Sequence, residues 1–311
     1  MIGRSDIEAA ALAIADEVRV TPVMHLRAPV PCELKLEHHQ LAGSFKARGA
    51  FYNLLSRNVP AAGVAAASGG NHGAAVALAA ARLGHNAAIY VPSISSPAKV
   101  DVIRRTGAQV VVGGERYADA LAECERYQGE TGAMSVHAYD ADETIAGQGT
   151  VAAEWEGQTA GLDTVLVAVG GGGLISGIAA WFRGRVKVVG VEPERACALH
   201  AALAAGEPVD VPVDGVAADS LGAKRIGERN FEICRGAVDH VALITDGAIR
   251  EAQRTLWQEA RILTEPGGAA AYGALLGGAY VPGEGERVGV LVCGANVDPA
   301  DFAKTVLEQK G

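Results

Sequence analysis

The chain has 311 residues, of which 49% are hydrophobic and 20% charged. That balance excludes a disordered polymer and leaves room for one large or two medium domains. With 27 basic against 36 acidic residues the net charge is -9, and no Lys/Arg-rich block stands out, which argues against nucleic acid as a partner.

Short apolar strands alternate with longer Ala-rich helices from Val64–Ala67, a strand, onward. Asn71–Leu83 reads as a helix closed by Gly84, and Ala87–Val91 as a strand stopped by Pro92. Pro97–Thr106 is a helix ending at Gly107, Ala108–Val112 a strand and Tyr117–Gln128 a helix. A second series begins with the apolar strand Thr164–Val169, the loop Gly170–Gly173, the helix Leu174–Phe182 and the strand Val186–Val191. Ala205–Lys224, rich in Gly, Pro and Asp, yields no assignment. Ile249–Arg261 and Ala269–Leu276 read as helices and Val288–Cys293 as a last strand. This rhythm predicts an α/β fold: two open, mostly parallel sheets covered by helices, with a cleft between two units.

Glycine is in excess, 40 residues or about 13% against the usual ~7%. With aromatics at only 5%, these glycines are expected in turns and in loops where backbone approaches a ligand. The five cysteines (Cys32, Cys124, Cys197, Cys234, Cys293) are odd in number and form no CxxC pair, against a disulfide framework or a structural zinc site. The opening MIGRSDIEAA has no signal-peptide apolar region, and no apolar run approaches the ~20 residues of a membrane span. A cytoplasmic chain with no membrane partner is expected.

Four segments could carry chemistry. In Val169-Gly-Gly-Gly-Gly-Leu-Ile-Ser-Gly177, four glycines between a strand and a helix let backbone N–H groups close on an anion at the helix N-terminus. A plain turn would need one glycine. A dinucleotide is a candidate anion, with Glu192 near where a ribose-binding acid would sit, but the GxGxxG spacing is off by one. In Gly43-Ser-Phe-Lys-Ala-Arg-Gly-Ala50, Lys46 is either a surface charge or, if desolvated beside a carbonyl ligand, a Schiff-base lysine. Ala67-Ser-Gly-Gly-Asn-His-Gly73 suits a carboxylate at a helix N-terminus, or is an ordinary cap. Cys293, in Val292-Cys-Gly-Ala-Asn-Val-Asp298, reads as a small buried hydrophobe when taken alone. His38 and His39 are adjacent and would diverge on a regular element, so no joint metal site is expected.

Taken together and in order, these segments resemble the fold-type II pyridoxal-phosphate enzymes, in the serine/threonine dehydratase and serine racemase group. Gly43–Ala50 is similar to their lysine motif, Ser68–His72 to their asparagine loop, Ala146-Gly-Gln-Gly-Thr150 to a segment before their second half, and Gly170–Gly173 to their phosphate loop. The resemblance covers almost the whole chain. It implies a tryptophan synthase β-like fold with pyridoxal 5'-phosphate in the cleft between a large domain (1–53 plus 143–311) and a small one (54–142). Lys46 would hold the cofactor and remove the substrate Cα proton. Phe45, Asn71, Gly170, Gly171, Gly172, Gly173, Leu174 and Cys293 would contact the cofactor, with Asn71 at its phenolic oxygen and Cys293 beside the pyridine nitrogen. Ser44, Ser68, Gly69, Gly70, Asn71 and His72 would surround an amino-acid substrate. Glu265 matches a position near the ring or is a buried paired acid, and Asp219 and Ser220 match a segment near the substrate.

The implied reaction is loss of water from L-threonine or L-serine, giving a 2-keto acid and ammonia. A racemase, a lyase for another β-hydroxy amino acid such as hydroxyaspartate, and a non-catalytic amino-acid-binding protein are the alternatives. Racemases of the group carry a second serine where this chain has Gly69, so elimination is favoured. Glu192 and the Ala196 carbonyl match two ligands of the group's divalent-cation site, but Ala198 replaces an aspartate. A hard cation is then expected to bind weakly or not at all. The resemblance also implies a homodimer.

Overall fold

The computed structural model describes residues 2–93, 95 and 97–308, without the side chains of Pro97 and Ala98; Met1 and residues 309–311 of the expected large domain lie outside it. Among the described residues ten strands form two sheets: β1 (Val23–Leu26), β2 (Cys32–Lys35), β3 (Val64–Ala67), β4 (Ala87–Val91), β5 (Gln109–Val112), β6 (Met134–Ser135), β7 (Thr164–Ala168), β8 (Lys187–Pro193), β9 (His240–Ile244) and β10 (Val288–Leu291). The larger sheet runs β1-β2-β10-β7-β8-β9 and the smaller β5-β4-β3-β6. Every pairing is parallel except β1 with β2. The predicted class, two open and mostly parallel sheets, is therefore observed. Buried runs such as Val165–Val169 explain it, because a parallel sheet covered on both faces tolerates near-continuous apolar strands.

The predicted strands and helices fall within three residues of the observed ones, Pro97–Arg104 ending two residues early and Gly173 opening the helix Gly173–Phe182. Gly84 closes Asn71–Leu83 in the left-handed region, its N–H reaching Ala80 O. The unassigned stretch Ala205–Lys224 begins at the end of the helix Ala198–Ala205 and holds one short helix, Ala218–Leu221.

Three long helices position the site. Lys46–Ser56 and Gly173–Phe182 both pack on Asp142–Gln158. Glycines permit this: a Cβ on Gly147 would meet Gly49 Cα at 2.6 Å, and one on Gly177 would meet Gly149 N and Ile145 O at 2.5 Å. These glycines are neither loops nor turns, which extends the sequence reading. A buried ionic cluster pins two of these helices, Lys46–Ser56 and Asp142–Gln158. Arg48 Nη2 donates to Glu37 Oε1 (2.7 Å) and Glu154 Oε2 (2.9 Å), and Lys35 Nζ donates to Glu154 Oε1 (2.5 Å) and Thr21 O (2.9 Å). No helix among the described residues is long and apolar enough to cross a membrane.

Candidate active site

The segment that follows β10 templates the lysine motif. Ser44 bridges Gly294, Phe45 N–H donates to Cys293 O (3.1 Å), and Ala295 N–H donates to Gly43 O (2.9 Å). Ala42 and Gly43 turn the chain with φ of 57° and 72°. Lys46 then opens its helix with the ammonium 5.3 Å from the Phe45 ring centroid and 2.6 Å from Ala138 O, to which it donates. Burial drops its pKa to about 8, so a usable fraction of the amine is neutral near neutral pH. Ser44 Oγ is buried with no hydrogen-bond partner among the described residues.

The glycine loop leaves β7 and enters the helix Gly173–Phe182, whose first turn has no side-chain cap. The N–H groups of Gly173 and Leu174 thus belong to those a helix leaves without an internal acceptor. Gly172 has φ +98°, and a Cβ on Gly171 would run into the Tyr139 ring. Asn230 Nδ2 ties the loop down by donating to Gly171 O (2.9 Å) and Tyr139 O (3.1 Å). Residues 138 and 139 therefore join the lysine to the loop: one accepts from Lys46 and the next packs on Gly171.

The asparagine loop comes near Lys46, whose charge helps lower the His72 pKa. Gly70 N–H donates to Ser68 Oγ (3.2 Å), and the helix Asn71–Leu83 has no side-chain cap. Asn71 Nδ2 donates to Glu265 Oε1 (2.6 Å) and Asn71 Oδ1 accepts from Asn296 Nδ2 (2.7 Å). His72 is locked to Val136 O (2.8 Å) and burial drops its pKa to about 3, so it is neutral. Glu265 is 3% exposed, and burial pushes it up to about 7 against the opposing bond from Asn71. Cys293 Sγ donates to Gly267 O (3.4 Å), and burial raises its pKa, keeping it a thiol. Asp219 pairs with Lys99, while Ser220 Oγ accepts from Gly267 N–H (3.1 Å).

One expectation needs correction, and two residues have neighbours that the sequence did not show. A Cβ on Gly69 would run into Ser95 Oγ. His38 and His39 do not diverge, because the 3-10 turn Glu37–His39 brings their rings to 4.1 Å. Glu192, weighed as a ribose or cation ligand, instead accepts from Leu199 N–H (2.9 Å) and His200 N–H (2.8 Å) with its two oxygens. Burial also pushes the Glu192 pKa up to about 7 against these two bonds. Sequence reasoning missed Ala138, Tyr139, Asn230 and Asn296; Ala138 offers only a carbonyl, which no side chain announces.

A softened lysine amine, an uncapped helix behind four glycines and an unpartnered buried hydroxyl suit a ligand with one carbonyl and one anionic end. The pyridoxal-phosphate dependent enzyme family matches residues 14–294. The chain belongs to the pyridoxal-phosphate dependent enzymes. Within them it falls in the dehydratase (ammonia-lyase) group. It is 40% identical over 297 residues to the phenylserine dehydratase of Ralstonia pickettii, covering 92% of this chain and 91% of that one. It is 38% identical over 273 residues to the biosynthetic L-threonine dehydratase of Escherichia coli (strain K12), covering 85% of this chain but only 53% of that longer one. Maize serine racemase has a TM-score of 0.91 at 31% identity, covering 98% of this pyridoxal-phosphate enzyme and 97% of that chain. The processed form of threonine deaminase isoform 2 from Solanum lycopersicum has a TM-score of 0.89 at 30% identity, covering 97% and 85%.

Proposed function

We propose that this enzyme removes water from L-threonine, L-serine or a close β-hydroxy amino acid, releasing a 2-keto acid and ammonia. The observation that carries the reading is Lys46: a half-buried amine whose pKa is lowered to about 8, donating to Ala138 O beside the Tyr139 that packs on the glycine loop.

Pyridoxal phosphate, when bound, supplies an electron sink for negative charge at the substrate Cα. Lys46 Nζ would hold its aldehyde carbon and later take the Cα proton, which only a neutral amine can do. The N–H groups of Gly170, Gly171, Gly172, Gly173 and Leu174 would bind its phosphate, and Phe45 would line the ring. Asn71 Nδ2 would donate to the phenolic oxygen. Cys293, whose S–H is spent on Gly267 O, offers the ring nitrogen no proton. Beside such a thiol the bound cofactor would be a weaker electron sink, which would favour prompt loss of a β-hydroxyl. Ser44, Ser68, Gly69, Gly70, Asn71 and the fixed, neutral His72 would surround the substrate carboxylate at the uncapped helix end. The same reading makes the protein a cytoplasmic homodimer with residues 54–142 as its small domain.

The test is release of ammonia and keto acid from L-threonine, L-serine, L-threo-phenylserine and 3-hydroxyaspartate, with the visible absorbance of the purified protein. Lys46→Ala should lose the absorbance and lower turnover by at least ~10⁴-fold. A colourless wild type that takes up no cofactor overturns the proposal. Ser95 beside Gly69 favours a racemase as the second reading, and chiral analysis of recovered serine decides it.

A further inference from the structure

We infer that Asn296 is a positioning residue: it dictates which end of the Asn71 amide faces the cofactor. The consequence for the cofactor rests on the function proposed above; the polarity itself does not.

The two ends of an amide have nearly the same shape, so packing alone does not choose between them. Hydrogen bonds do. Asn296 Nδ2 donates to Ala42 O (2.7 Å), a backbone carbonyl that can only accept. The nitrogen end of Asn296 is thereby fixed, and its second N–H meets Asn71 Oδ1 at 2.7 Å. Asn71 must then turn its own nitrogen the other way, where Nδ2 donates to Glu265 Oε1 at 2.6 Å. One N–H of Asn71 is left over. Direction passes from a backbone carbonyl through two amides to a buried carboxyl, and no link can be reversed alone. The arrangement has a place prepared for it, since any Cβ on Gly43 would collide with Asn296 Oδ1. By gripping Ala42, the same amide holds the turn four residues before Lys46.

With this polarity, the spare Asn71 N–H can donate to the phenolic oxygen of bound pyridoxal phosphate. With the amide reversed, a lone pair would face that oxygen. Asn296 touches neither cofactor nor substrate in this scheme and acts through Asn71.

Asn296→Asp keeps the shape but replaces the donor by an acceptor, whereas Asn296→Ala only removes the donor. Polarity control predicts that the isosteric change is the worse one. In the loaded enzyme, Asn296→Asp should shift or lose the visible band and lower kcat by ~100-fold or more, against ~10-fold for Asn296→Ala, with KM moving by a smaller factor in both. In the cofactor-free protein at pH 8, Asn296→Asp should melt below Asn296→Ala. A packing role would give the opposite order, and that order, or a wild-type band and rate in Asn296→Asp, overturns the inference. If Asn296→Asp does not fold, Asn296→Leu takes its place: similar in size and donor-free, it should match Asn296→Ala, and a wild-type rate would refute the scheme. A wild type with no visible band would sink the dehydratase reading, while the cofactor-free melting order would still decide the polarity.

Discussion

Burial turns Lys46 from a surface cation into a reactive amine. A free lysine at pH 7 is almost wholly protonated, whereas a pKa of about 8 leaves roughly a tenth neutral. Cofactor uptake by the cofactor-free protein should therefore accelerate with pH, reaching half its maximum near pH 8 and levelling above it. Growth of the visible band after mixing measures this, and uptake that is flat from pH 6.5 to 9.5 would contradict it. The linkage has the same origin. The folded pKa lies below the unfolded value of 10.5, so Lys46 costs stability most fully below pH 8, and the cost fades as pH rises toward 10.5. At this scale the sequence announced Lys46, Asn71 and Cys293, because their motifs name side chains. It did not announce Ala138, which acts through its backbone, or Asn296, whose role depends on a left-handed turn some 250 residues earlier that only the folded chain brings near.

Among the elements, Asp142–Gln158 was noticed in the sequence only as the motif Ala146–Thr150 and not as a helix, and its composition explains why. Gly147 and Gly149 lower helix propensity in its middle, yet they let it touch the lysine helix on one side and the glycine-loop helix on the other. β2 was hidden for a related reason. Glu33 and Lys35 look like surface residues, but both are buried, Glu33 accepting from Trp155 Nε1 (2.7 Å) and Lys35 held by Glu154. Strands with mostly apolar runs, such as β7 and β8, were legible because burial on two faces requires little else. The close crossing yields a sharp expectation. Gly177→Ala puts a methyl group against the backbone of Ile145 and Gly149, which cannot rotate away as a side chain would. It should lower stability by about 1–3 kcal/mol in urea unfolding and loosen cofactor binding with it. An unchanged urea midpoint would show that the helices can separate freely.

In the molecule as a whole, side-chain links join the part built on the smaller sheet to the part built on the larger one. Asn71 reaches Glu265 and Asn296, and Lys99 pairs with Asp219. Asp219 is 70% exposed, so the second link is worth at most about 1 kcal/mol, or roughly five-fold in a binding constant. Lys99→Met should then raise KM for the amino acid by less than about five-fold and leave kcat nearly unchanged, and 0.5 M salt should bring the wild type toward the variant. A hundred-fold rise would mean instead that Lys99 touches substrate. The two-sheet plan was legible from strand–helix alternation, whereas these partners, far apart in sequence, were not. One pairing has a consequence for how the protein is made. β2 lies beside β10, and the chain just past β10 holds the Lys46 segment in place. During synthesis the segment at Ser44 therefore waits some 250 residues for Gly294, the partner it bridges.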